Sequence, residues 1–183
     1  LNMILKGFSD QAVTTLGLYY KWQSFFFIPL GAMQTCIVPV ISYNYGAGMY
    51  DRCKKTLKDA VIFGWTLMII GTLCFEIIPG PMLSVFSRDA KVIEIGVNAF
   101  HIIGMSFILL VTSLTFPVYF QAIGQSVKSS LLTVLRTVVL FVPLGWLLSK
   151  LGLKYFWCTF PVTEFITTAA GLIMLKRFRG NYE

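Results

Sequence analysis

Residues 95–127, IGVNAFHIIGMSFILLVTSLTFPVYFQAIGQSV, run for 33 positions without an aspartate, glutamate, lysine or arginine. A helix needs about 20 apolar residues to cross a hydrocarbon core of about 30 Å, so this stretch can span a bilayer with length to spare. Residues 22–50 form a second uncharged run, of 29 positions. Three further segments hold one internal charge each: 60–79 with Glu76 near its end, 129–149 with Arg136, and 155–175 with Glu164. Barrel strands would alternate apolar and polar residues over about 10 positions, and Leu67-Met68-Ile69-Ile70 does not. The chain therefore reads as an all-α integral membrane protein. It holds about five complete transmembrane helices, at 22–44, 60–79, 95–120, 129–149 and 155–175, plus the end of a sixth.

Composition agrees. Of 183 residues, 56% are hydrophobic and 13% charged, with a mean hydropathy of +0.75. A soluble domain carries about 25% charged residues, and disordered chains are richer still in charge and poorer in apolar residues. The net charge of +7 sits in the gaps between apolar runs rather than on a solvated face, which excludes nucleic acid as the partner. The bilayer itself is the first partner.

The chain opens as if cut from something longer. Leu1–Leu5 read as the tail of a preceding helix stopped near Lys6-Gly7, and Ser9 or Asp10 can cap the next one. The first full span can then start near Gln11 and must project or tilt. Lysine and arginine placement sets the topology. With five spans, one side carries Lys6, Lys21, Arg88, Lys91, Lys150 and Lys154. The other carries Arg52, Lys54, Lys55, Lys58, Lys128, Lys176, Arg177 and Arg179, eight against six, with four of them packed into positions 52–58. Loop 46–58 and the C-terminus are expected in the cytoplasm, and the chain in the plasma membrane. Cys36, Cys74 and Cys158 fall in spans and Cys53 in that loop, without metal-ligand spacing; no cofactor or metal is called for.

Polar residues inside spans are the candidates for chemistry, because lipid tolerates them only at a bundle interior or a cavity. Gln34 and Asn98 read either as interhelical hydrogen-bond partners or as cavity lining. His101, the single histidine, suits a hydrogen-bonded packing role. Glu76 lies close enough to a helix end to reach interfacial water. Arg136 sits roughly 10 Å into its span, so it is either an interfacial anchor or a cavity residue. Glu164 is near mid-depth, where a carboxylate reads as a contact for an ion, a proton or a cationic substrate, or else as the partner of a donor on a neighbouring helix.

Pro29 and Pro39, then Pro117, Pro143 and Pro161, punctuate four spans and are expected to kink them, as in transporters. Enzyme signatures are missing. Gly104-Met105-Ser106-Phe107 lacks the second glycine of a nucleophile elbow, and Gly46-Ala47-Gly48 lacks the lysine of a phosphate loop.

An ordered set of motifs remains. The first span holds Pro29-Leu30-Gly31 and Gln34, and ends Pro39-Val40-Ile41-Ser42-Tyr43-Asn44-Tyr45-Gly46-Ala47-Gly48 before a basic loop. The third holds Phe116-Pro117 and ends Phe120-Gln121-Ala122-Ile123-Gly124-Gln125-Ser126; the fourth holds Leu135-Arg136 and Val142-Pro143-Leu144. This series resembles the C-terminal half of a multidrug and toxic compound extrusion (MATE) transporter. The resemblance implies a twelve-helix protein of two pseudo-symmetric lobes, with an N-terminal lobe as this chain's partner. It also implies antiport of small organic cations against Na+ or H+, with the ion left open. Pro39, Asn44, Gly46, Gly48, Gln121, Gly124 and Pro143 match as scaffold: Pro39 kinks the first span, Gly46 and Gly48 turn the chain, Asn44 bridges backbone, and Gly124 ends a helix with Gln121 satisfying a carbonyl. Lipid-linked oligosaccharide flippases of the same superfamily are the nearest alternative, but they want a strongly cationic cavity, and Arg136 stands alone; an intramembrane enzyme is less favoured.

Overall fold

The computed structural model describes residues 1–179, all helix and connecting turns among those residues. The helices are α1 (Asn2–Lys6), α2 (Asp10–Gly46), α3 (Tyr50–Ile77), α4 (Pro79–Ser84), α5 (Ala90–Gly104), α6 (Phe107–Ala122) and α7 (Ser126–Val134). A π-helical stretch, Leu135–Leu140, leads from α7 into α8 (Phe141–Ser149), followed by α9 (Leu153–Trp157) and α10 (Thr159–Arg179). Four continuous or nearly continuous helices are long and apolar enough to cross a bilayer: Asp10–Gly46, Tyr50–Ile77, Ser126–Ser149 and Leu153–Phe178. The pair α5 and α6 makes a fifth span, bent by 54°. Large apolar side chains such as Ile70, Leu73, Val138, Trp146 and Ile173 face outward, as a surface wetted by lipid requires. The C-terminal residues 180–183 lie outside the described residues.

Ser9 begins α2. Its backbone is extended and its Oγ accepts the amide of Ala12 at 3.1 Å, closing one of the open donors of a helix start. The helix then runs 37 residues, about 55 Å at 1.5 Å per residue, unbroken through Pro29 and Pro39.

Several expectations are corrected by the fold. The run at 95–120 is two helices. The break falls at Met105-Ser106, not at Pro117, which stays inside α6. Freed backbone groups are satisfied there: Ser106 Oγ donates to Ile103 O (2.6 Å) and Thr72 Oγ1 to Gly104 O (3.1 Å), the means by which a membrane helix tolerates a break. Gly104 also lets Phe75 lie where a Cβ would stand, at 2.9 Å. Pro161 does not kink the fifth span. It sits in the first turn of α10, where no intrahelical amide is due. Pro143 can neither donate to Val139 nor tolerate its carbonyl at α-helical distance, and the wider π turn just upstream accommodates it.

The expected loop 46–58 is only the turn 47–49. Basic residues 52–58 form the first turns of α3, because Cys53 and Leu57 are apolar at helical spacing and bury together. Gly46 ends α2 with no left-handed backbone; Gly48, at φ +73°, makes the turn. The amides of Gly48 and Met49 return to Tyr45 O (3.1 Å) and Asn44 O (2.8 Å), a Schellman closure. The same pattern ends α6, with Gly124 at φ +76° and Gln125 N bonded to Phe120 O at 2.8 Å. Ser42 Oγ fastens the two ends together by donating to Ala122 O at 2.7 Å; this serine, rather than Gln121, satisfies the carbonyl there. Asn44 is buried and its Nδ2 donates to Val40 O at 2.7 Å.

Two apolar clusters build the core. One holds Leu16, Tyr19, Phe26, Leu30, Phe75, Phe100, Phe107 and Phe160, with Phe75 stacked on Phe100 at 4.4 Å. The second holds Ile37, Ile41, Cys53, Leu57, Phe116, Phe120, Leu132 and Leu175. Small residues let helices close up: a Cβ on Gly64 would stand 2.5 Å from Val111, and one on Gly171 would meet the Phe116 ring.

Candidate functional site

Between the two clusters α2, α6, α10 and the π-helical stretch carry polar residues. On α2, Gln34 lies between Leu30 of the first cluster and Ile37 of the second. On α6, Thr112, Ser113 and Thr115 fall between Val111 and Phe116; on α10, Thr163, Glu164, Thr167 and Thr168 fall between Phe160 and Leu175. Arg136 occupies the same level between Leu132 and Phe141. A polar layer therefore crosses the apolar bundle, and most of its hydroxyls are spent on backbone carbonyls: Thr168 on Leu109, Thr115 on Val111, Thr167 on Thr163.

The centre of the layer is an ion pair. Arg136 Nη2 donates to Glu164 Oε1 at 2.5 Å, and Nε reaches both carboxylate oxygens at 3.1 and 3.2 Å. Ser113 Oγ donates to Glu164 Oε2. Glu164 is 1% exposed and Arg136 17%. The two charges lie 28 positions apart, on α10 and on the π-helical stretch, whose widened turn carries the guanidinium. Arg136 is thus no interfacial anchor: its charge is committed to a carboxylate, as burial demands. Its guanidinium also lies 5.7 Å from the Phe141 ring centre.

Two cavities meet at Arg136. One, of about 310 Å3, is lined by Tyr19, Tyr20, Gln23, Phe141, Phe160 and Glu164. The other, of about 200 Å3, is lined by Gln34, Ser113, Gln121, Ser129 and Thr133; Arg136 and Thr137 border both. Gln34 Nε2 is buried without a hydrogen-bond partner among the described residues.

The sequence candidates thus divide. Arg136, Glu164 and Gln34 come together. His101 stands apart, its Nδ1 2.8 Å from Glu76 Oε2; Glu76 is paired and its side chain is one-third exposed. Asn98 is exposed and bonds its own helix at Glu94 O, 3.1 Å away. Sequence reading passed over Ser113, Tyr19 and Gln23; the run Thr112-Ser113-Leu114-Thr115 inside an uncharged stretch was the available signal for the first.

A bundle of spanning helices with a buried, cavity-flanked ion pair defines a multi-pass membrane protein with a polar interior rather than an anchor. The MatE family model matches residues 1–147, and the chain belongs to that family. It is 23% identical over 183 residues to the multidrug export protein MepA of Staphylococcus saprophyticus, covering 98% of this chain and 40% of that protein. It is 25% identical to the FAD transporter of Shewanella oneidensis, covering 95% of this chain and 39% of that one. The Vibrio cholerae MATE transporter VcmN in its bent form superposes with a TM-score of 0.89 at 19% identity, over 96% of this chain and 40% of VcmN. The chain spans about 40% of the length of the curated relatives it matches.

Proposed function

We propose that this chain forms the C-terminal lobe of a secondary antiporter that exports small organic cations across the plasma membrane in exchange for Na+ or H+, and that Glu164 contacts the cation. The observation that carries this is the Arg136–Glu164 pair between two cavities. A cation entering the larger cavity meets Tyr19, Tyr20, Phe141 and Phe160, whose ring faces attract positive charge, and then competes with Arg136 for the carboxylate. Arg136 also borders the second, polar cavity, so its side chain has somewhere to go, and Glu164 exchanges one cationic partner for another without being left bare. Access alternates only against a facing N-terminal lobe, which is this chain's partner in the reading; the turn 47–49 and the basic start of α3 face the cytoplasm.

The test is Glu164→Gln in the whole protein, which keeps the side-chain volume and removes the charge. At matched membrane levels, cells should accumulate a cationic dye as cells without the transporter do. Wild-type export by the glutamine variant would defeat the assignment. One observation favours a second reading, an anionic solute: Gln34 Nε2 lacks an acceptor beside Arg136. An anionic dye in the same assay separates the two.

A further inference from the structure

The basic start of α3 has no part in the export scheme above. Arg52, Lys54, Lys55 and Lys58 stand in its first turns, against Asp51 and Asp59; Asp51 Oδ1 lies 3.5 Å from Lys54 Nζ. Positive side chains at a helix start oppose its dipole, whose N-terminal end is already positive, so helix stability does not account for them. Packing gathers further positive charge at the same end. Cys53 and Leu57 share the second apolar cluster with Phe120 and Leu175, which draws the ends of α6 and α10 against α3. Lys128, on α7, stands 4.1 Å from the Phe178 ring centre, and Lys176 and Arg177 are exposed near the end of α10. No acidic residue occurs in α7, or in α10 beyond Glu164.

One exposed face of α3 carries this charge and an apolar surface in line. Lys55, Lys58, Ile62, Trp65, Ile69 and Leu73 follow one another at steps of three and four, and all six are exposed. From Ile62 to Leu73 the axis covers about 17 Å at 1.5 Å per residue, close to half of a hydrocarbon core of about 30 Å. Above this stripe a recess of about 420 Å3 is walled by Lys54, Lys55, Leu57 and Lys58. A second recess, of about 380 Å3, is walled by residues 48–52 and by Lys54, which borders both.

We propose that this face of α3 binds an anionic phospholipid, its phosphate between Lys55 and Lys58 and an acyl chain along Ile62, Trp65, Ile69 and Leu73. Basic clusters at the membrane end of a spanning helix attract such headgroups. A zwitterionic lipid offers the same phosphate but brings its own ammonium, which the lysines repel. A soluble anion fits the recess but gains nothing from the apolar stripe below it. The leaflet concerned, the cytoplasmic one, rests on the topology proposed above; binding itself does not, and it is independent of export.

The experiment titrates the whole protein, purified in detergent, with phosphatidylglycerol, phosphatidylcholine or glycerol phosphate, and follows bound molecules by native mass spectrometry. Wild type should bind phosphatidylglycerol more tightly than either of the others. Each basic residue beside an anionic headgroup contributes roughly fivefold in affinity. Lys55→Gln with Lys58→Gln, both at exposed positions that spare the fold, should therefore weaken phosphatidylglycerol by about 25-fold and leave phosphatidylcholine unchanged. Arg88→Gln with Lys91→Gln removes the same charge from exposed positions between α4 and α5 and should leave phosphatidylglycerol binding as in wild type. So should Glu164→Gln, which stops export in the reading above, so that the two proposals fail separately. Undiminished binding by the Lys55 and Lys58 double variant would overturn the proposal. Equal weakening by the Arg88 and Lys91 variant would do the same, by showing attraction to net charge alone, as would glycerol phosphate or phosphatidylcholine binding as tightly as phosphatidylglycerol.

Discussion

Replacing Arg136 with leucine removes the guanidinium and leaves Glu164, 1% exposed, with Ser113 as its remaining side-chain partner. Removing one partner of a buried ion pair costs about 3–5 kcal/mol, because the other charge is left uncompensated. At 1.4 kcal/mol per tenfold, that is roughly two to three and a half orders of magnitude in the unfolding equilibrium. Glu164→Gln should cost much less. Its amide can still bond Ser113, and Arg136, 17% exposed, has the neighbouring cavity into which to turn its charge. Arg136→Leu with Glu164→Leu together should recover most of the loss, since apolar residues of similar volume in place of a buried pair are often neutral or stabilising. Denaturant unfolding of the whole protein in detergent, on wild type, both singles and the double, gives the coupling directly. A double variant as unstable as the sum of Arg136→Leu and Glu164→Leu would refute the reasoning, since it would mean that the pair contributes through packing rather than through mutual neutralisation.

Gly171→Val should lower stability by about 1–3 kcal/mol, as overpacking does, because the Phe116 ring occupies its Cβ position; Gly31→Ala, with nothing within 4 Å, should be neutral or slightly stabilising in the same unfolding assay. Gly48→Ala should cost about 1–2 kcal/mol for its left-handed backbone, while Gly46→Ala, two residues earlier and helical, should not. Lys55→Cys, exposed in the first turns of α3, should resist an impermeant thiol reagent in intact cells and react after permeabilisation; labelling from outside would invert the topology. Cys53 itself is buried, its Sγ directed at Ile41 O at 3.5 Å, and so is a poor probe.

The helical membrane class was legible because lipid forbids charge over about 20 residues, a one-dimensional constraint that residues 95–127 display outright. The position of the break in that run was not. Proline is the loudest helix-breaking residue, yet Pro117 is tolerated, while the break falls after Gly104, where Thr72 and Phe75 of another helix meet the chain and Ser106 bonds Ile103 O. Glu164 could be singled out by depth alone. Its partnership with Arg136 could not, because it depends on how α10 and the π-helical stretch are rotated against each other across 28 positions. For the same reason His101 and Glu76 looked unrelated. The extent of α3 was misread in the ordinary way: charged residues at 52–58 suggested a loop, but solvent-facing charges on a helix end cost nothing while Cys53 and Leu57 bury on its other side.

The hydrogen bond from Ser42 to Ala122 clamps together the two Schellman turns that end α2 and α6. The long element partnering α2 is cut in two at Met105-Ser106, yet both halves are moored to α2: α6 by that clamp, and α5 by Thr15 Oγ1 donating to Val92 O at 3.4 Å. A plank nailed at both ends can flex only at its joint. A cross-link between residues 42 and 122 would therefore only duplicate a fastening already present.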